Sequence, residues 1–128
     1  MKLRIKDNSL RFRVTQSEMV GLIETGRIEK TVFLGPDEKS RWTYALEHQP
    51  SSTCATLRYE APELTVVLST ADVRTWGPSD EVGIYATVDL GAHGNLDILV
   101  EKDYACLDSS DANNHDTFPN PAICAVSQ

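Results

Sequence analysis

Long apolar runs are missing from this chain of 128 residues, and so are close pairs of cysteine or histidine. No stretch approaches the roughly 18 consecutive apolar residues that a membrane span requires, and the opening MKLRIKDNSL lacks the apolar segment of a secretory signal. The expectation is a cytoplasmic protein without membrane contact. Cysteine is scarce: Cys54, Cys106 and Cys124 make an odd count, which argues for reduced thiols rather than a disulfide framework. A Cys106 to Cys124 bridge would need an oxidising compartment. Positive charge is also short, 12 basic against 19 acidic side chains for a net charge of −7, and this excludes general nucleic-acid binding, which depends on displacing counterions with basic surface. Residues 104 to 128 contain no basic side chain at all, whereas residues 1 to 50 hold nine basic and seven acidic ones. A local basic face within an acidic protein is therefore expected.

What is present is an ordinary globular composition, 41% apolar and 24% charged, at a length suited to one domain spanning 1–128. The chain is also self-similar. With an offset of 54 residues, LRIKDNSLRFRVTQSEM (3–19) lies over LRYEAPELTVVLSTADV (57–73), and RWTYALEHQ over NLDILVEKD. Of the 49 pairs between 2–50 and 56–104, 14 are apolar in both members, where composition alone predicts about 8.

Local chemistry repeats with the same offset. VTQSEM offers Thr15 as a helix N-cap, Glu18 to complete a capping box, and Val14 with Met19 as a hydrophobic staple; LSTADV offers Ser69, Asp72, Leu68 and Val73 at the same spacing. The first helix should stop at Gly26 and the second at Gly77 and Pro78. Around each helix the period is two. KLRIK and LRFRV alternate apolar and basic residues about a turn at Asp7 to Ser9, and ATLRYE and ELTVVL repeat this about Ala61 and Pro62. Ile28 to Leu34 with Trp42 to Glu47, and Val82 to Leu90 with Leu96 to Glu101, complete the halves. The predicted fold is α+β: two pseudo-symmetric β-β-α-β-β repeats, 2–50 and 56–104. Together they form one mostly antiparallel sheet or open barrel with two short helices, followed by an irregular extension over 105–128.

The opening MKLRIKDNSLRFRVTQSE and the closing VEKDYACLDSSDANNHDTFPNP, above all EKDYACL and DTFPNP, resemble a small family of uncharacterised bacterial single-domain proteins. That resemblance implies an independent domain and no known activity. In topology the duplicated unit is also similar to the tunnel-barrel fold of triphosphatases and class IV adenylate cyclases, whose first strand carries alternating glutamates for metal. Here that strand is KLRIKDN, basic where those enzymes are acidic.

Strand alternation puts Arg4 and Lys6 on one side of the first strand and Arg11 and Arg13 on one side of the second, with Arg58 at the position of Arg4 in the other half. If the face curves inward, these cations converge on an anionic small molecule, because guanidinium forks match phosphate and carboxylate. The alternative is an ordinary solvated sheet face. Glu47 and Glu101 are equivalent across the repeat, and as paired carboxylates they are the catalytic candidates for a phosphoester- or triphosphate-processing enzyme; as strand-end glutamates they are equally ordinary surface. Cys106, His115 and Cys124 could ligate zinc, but their even spacing by nine lacks the close pair usual for such sites, and packing explains the cysteines without metal. Asp108, Asp111, Asn113, Asn114 and Asp116 supply oxygen donors in an order that is not an EF-hand's. No cofactor is expected. FPNPAI (118–123) reads as an extended arm anchored by Phe118, lying across its own domain or reaching a protein partner.

Overall fold

A computed structural model describes residues 1–105 and 116–119. In chain order the elements are β1 (Lys2–Lys6), β2 (Ser9–Val14), α1 (Gln16–Thr25), β3 (Arg27–Phe33), β4 (Arg41–Gln49), β5 (Thr56–Glu60), β6 (Glu63–Ser69), α2 (Thr70–Trp76), β7 (Gly83–Asp89) and β8 (Asn95–Lys102). A single 3-10 turn, Gly91–His93, joins the last two strands. The α+β prediction and the order strand, strand, helix, strand, strand in each half hold.

The four expected hairpins all form, but the eight strands divide into two sheets rather than one, ordered β1-β2-β8-β7 and β3-β4-β6-β5, and neither closes into a barrel. Each sheet takes one hairpin from each half. The seam between them is parallel: β2 runs beside β8 and β4 beside β6. These seams repeat with the offset read from the sequence. Leu10 faces Ile98 in one and Leu64 faces Tyr44 in the other, each residue 54 positions from its counterpart. The offset stays 54 between β1 and β5, where Lys2 faces Arg13 and Thr56 faces Val67, but becomes 56 between β3 and β7, since Gly83 faces Glu101 while Arg27 faces Glu47.

The helices begin where the capping chemistry places them. Thr15 donates both its N–H and its hydroxyl to Glu18 Oε1 at 3.0 Å, and Ser69 Oγ accepts the Asp72 N–H at 3.4 Å. At Gly26 the backbone is left-handed, with φ of 84°, the conformation in which glycine ends helices without a Cβ penalty. Gly77 ends α2 for a different reason. Its backbone is ordinary right-handed helix, but a Cβ there would lie 2.7 Å from Ile23 Cδ1, so the residue is small because α1 packs against it.

One core serves both sheets. Leu10, Phe12 and Val14 of β2, Leu64, Val66 and Leu68 of β6, and Leu96, Ile98 and Val100 of β8 meet Met19 and Leu22 of α1 and Val73 and Trp76 of α2. Each helix crosses from one sheet to the other, α1 from β2 to β3 and α2 from β6 to β7. His48, at the end of β4, ties them: its Nδ1 lies 2.8 Å from Thr70 Oγ1 and its Nε2 3.0 Å from the Leu22 carbonyl.

The described part of the C-terminal extension lies on its own domain. Phe118 packs against the core and pairs with Tyr104 in a parallel bridge. Its N–H donates to the Asp103 carbonyl at 2.9 Å. Asp116 accepts from Ser17 N–H at the start of α1 and from the Ser17 hydroxyl. Phe118 is thus an anchor on its own domain, as expected, while residues 120–123 of the arm lie outside the described residues.

Candidate functional site

On the outer face of the first sheet, side chains at alternate positions of all four strands form rows across it. One row reads Arg4, Arg11, Leu99, Tyr85, each residue the register partner of the next. A second reads Lys6, Ser9, Asp97, Thr87, and a third Lys2, Arg13, Glu101, Gly83. Cations therefore fill the β1 and β2 columns, while the β8 and β7 columns carry carboxylates, hydroxyls and one aromatic ring.

Two like-charged pairs stand directly opposite each other in this arrangement, Arg4 with Arg11 and Lys2 with Arg13. Directly opposed like charges destabilise a sheet. Part of the repulsion is offset: Arg11 Nε sits 3.2 Å from Glu101 Oε1, and Lys2 Nζ 3.1 Å from Asp103 Oδ2. Among the described residues, Arg4, Lys6 and Arg13 have no such ion pair. Arg4, Lys6, Ser9, Arg11, Asp97 and Leu99 line a surface hollow of about 310 Å³. A neighbouring hollow of about 390 Å³ shares Arg11 and is bordered by Arg13, Glu101 and Tyr104.

Arg58 does not join this face. It lies on β5 in the second sheet, where its guanidinium contacts Glu47 at 3.3 and 3.4 Å. Glu47 also receives Arg27 at 3.0 Å and Gln49 at 2.7 Å. The Arg58 hydrogen bond, then Gln49 and Arg27, hold the Glu47 carboxyl below the usual range against an opposing push from burial. Arg27 additionally pairs with Glu29 at 3.3 Å and with Glu63. On the second sheet, Arg27 and Arg58 are thus neutralised by glutamates.

Glu47 and Glu101 occupy equivalent places, on β4 and β8, but on different sheets and with no shared partner. Glu101 accepts the Tyr85 hydroxyl at 2.9 Å as well as Arg11. Partial desolvation of its hydroxyl and this hydrogen bond push the Tyr85 phenol up to about 12, although much of the ring stays exposed. The repeat relation that made the glutamates a candidate pair is the relation that separates them.

Among the described residues no group of three or more histidine, cysteine, aspartate or glutamate side chains is suited to hold a metal. Cys106, His115 and Cys124 lie outside the described residues, as do Asp108, Asp111, Asn113 and Asn114. Cys54 is a free, exposed thiol.

Two features went unremarked in the sequence. Lys102 follows Leu96, Ile98 and Val100 in the inward phase of β8 and is buried, 4% exposed. Its ammonium donates to the Ser79 carbonyl and lies 5.4 Å from the Phe118 ring centre. Burial lowers its pKa, more than Asp80 and Glu81 raise it. A lysine in the apolar phase of a strand was the available signal. The second is the placing of Asp97 and Thr87 beside Tyr85, visible only once β7 is set against β8; Tyr85 itself, readable from the sequence as a pocket-lining or core aromatic, is exposed rather than core.

The architecture defines a small α+β protein of two hairpin-exchanging sheets with one basic outer face. The chain belongs to a family of unknown function, DUF7009, whose model matches residues 1–122. No curated protein and no solved structure matches it. Among the described residues, no helix is long and apolar enough to cross a membrane.

Proposed function

We propose that this protein binds an anionic small molecule, bearing phosphate or carboxylate, on the outer face of the first sheet through Arg4, Lys6, Arg11 and Arg13. The observation that carries the reading is the opposition of Arg4 to Arg11 beside Lys6 around one hollow. Arg11 is paired with Glu101 and Asp97 lines the same hollow, but among the described residues Arg4 and Lys6 carry no ion pair; an anion bridging them to Arg11 would stabilise the group, and guanidinium forks do this bidentately. The second sheet offers a contrast within the same molecule, because Arg27 and Arg58 there are consumed by glutamates.

The test is a thermal-unfolding panel with phosphate, pyrophosphate, tripolyphosphate and citrate. An anion present at 100 times its dissociation constant adds about 2.7 kcal/mol, several degrees for a domain of this size. Arg11→Ala combined with Arg13→Ala should abolish the shift. No shift with any anion, or a shift unchanged in the double variant, overturns the reading.

The same proposal places the protein in a bacterial cytoplasm, in keeping with its odd cysteine count and its resemblance to bacterial proteins. It also holds that the two halves arose by duplication. The equal strand orders and the seam registers offset by 54 support this.

A further inference from the structure

The basic columns occupy only half of the face. Beyond Arg11 and Leu99 the surface continues into another hollow, of about 440 Å³, lined by Tyr85, Ala86, Thr87, Asp97, Ile98 and Leu99. It shares Asp97 and Leu99 with the hollow around Arg4, Lys6 and Arg11, so the two are continuous across the sheet. Three strand spacings separate the β1 column from the β7 column, about 14 Å.

The chemistry changes along that length. At the β1 and β2 end there are cations with one hydroxyl, Ser9. In the middle, Leu99 gives a small apolar floor, flanked by Asp97. At the far end stands Tyr85, 56% exposed yet tethered through its hydroxyl to Glu101. An exposed aromatic ring fixed by a hydrogen bond beside an apolar floor is a platform on which a flat ring can stack. Asp97 is likewise oriented, since Thr87 Oγ1 donates to its Oδ1 at 3.0 Å. The remaining carboxylate oxygen is an acceptor suited to hydroxyl or amino donors, and it repels phosphate.

We propose that the ligand of this face is a nucleoside phosphate. Its phosphates lie on Arg4, Lys6 and Arg11, its sugar beside Asp97, and its base on Leu99 and Tyr85. This rests on the anion-binding reading above and adds a second requirement to it: the ligand must carry a flat ring as well as negative charge. The position of Asp97 between the two ends disfavours a continuous polyanion, which would have to pass over a carboxylate, and favours a molecule whose neutral middle donates hydrogen bonds.

The experiment is isothermal titration calorimetry of the full chain with adenosine, guanosine, cytidine and uridine diphosphates, and with pyrophosphate as the control without base or sugar. At least one diphosphate nucleoside should bind about tenfold or more tightly than pyrophosphate, the order of one base stacked on an aromatic ring. Tyr85→Ala should remove that advantage, bringing nucleoside diphosphate affinity down to that of pyrophosphate. Tyr85→Phe, which keeps the ring, should retain most of it. Arg4→Ala with Arg11→Ala should abolish binding of both ligands, with unfolding midpoints confirming that each variant is folded. Equal affinity for pyrophosphate and every nucleoside diphosphate, unaffected by Tyr85→Ala, overturns the nucleoside proposal and leaves the anion site standing. If neither ligand binds, both fall.

Discussion

Replacing Arg4 by glutamate should make the protein more stable. Arg4 and Arg11 are register partners on adjacent antiparallel strands, a relation in which opposed Cβ atoms lie about 4.5–5.5 Å apart. Flexible side chains let the charges separate to about 7 Å, at which two unit charges in water repel by about 0.6 kcal/mol. Glutamate at position 4 removes that repulsion and substitutes an attraction of similar size, a total swing of about 1 kcal/mol. Solvent screening and the existing pairing of Arg11 with Glu101 at 3.2 Å reduce this toward about 0.5 kcal/mol. The assay is urea unfolding of wild type and Arg4→Glu at low salt and at 1 M salt. At low salt the variant's midpoint should lie higher; at 1 M, where the screening length is about 3 Å, the difference should nearly vanish. Added pyrophosphate should reverse the order by stabilising only the wild type. A variant that is less stable than wild type at low salt, or a difference that does not depend on salt, would refute the claim that these arginines are held against their mutual repulsion.

Gly83→Ala should be costly, because a Cβ there would fall 2.4 Å from the Val100 carbonyl oxygen, backbone that cannot step aside. A loss of about 1–3 kcal/mol in chemical unfolding is expected, and a loss under a few tenths would mean that β7 and β8 are not so close. His48→Ala removes the two contacts joining α1, α2 and β4 and should cost about 1–3 kcal/mol, whereas an equivalent change at the exposed His93 should cost little. Ultraviolet titration should find one tyrosine ionising near 12, and Tyr85→Phe should remove that step. Because the folded pKa of Tyr85 lies above the ordinary value of about 10, its contribution to stability is present below pH 10 and is lost as pH rises toward 12.

Much of the fold was readable because local signals agree with one another. Thr15 with Glu18, Ser69 with Asp72, and the turns at Asp7 to Ser9 and at Ala61–Pro62 bound elements whose period of two or 3.6 was already clear. Period two, however, tells which face a side chain takes and not which strand lies beside it. The pairing of β2 with β8 joins residues nearly ninety positions apart, and nothing local encodes it. That pairing puts Glu47 and Glu101 on separate sheets and leaves Arg58 among glutamates. It also sets Tyr85 and Asp97 in the rows that begin with Arg4 and Lys6. The basic columns of the candidate site were legible from alternation within β1 and β2, while its other half depended on contacts that only the assembled sheet creates. Gly77 gives a smaller case: the residue reads as a helix stop, while the close approach of the Ile23 side-chain end from the other helix is visible only in the packed structure.

The exchange of hairpins between the sheets has a bearing on how the chain must be made. Neither sheet belongs to one half, so synthesis of the first 50 residues yields β2 and β4 with their inner partners still to come. β4 gains β6 some twenty residues later, but β2 must wait for β8, the last strand of all. Until then its free edge is an invitation to wrong pairing, and such long-range closure is intrinsically slow. The repelling cations along β1 and β2 would then protect the growing polypeptide from its own copies, guarding that edge before there is a finished face to bind anything.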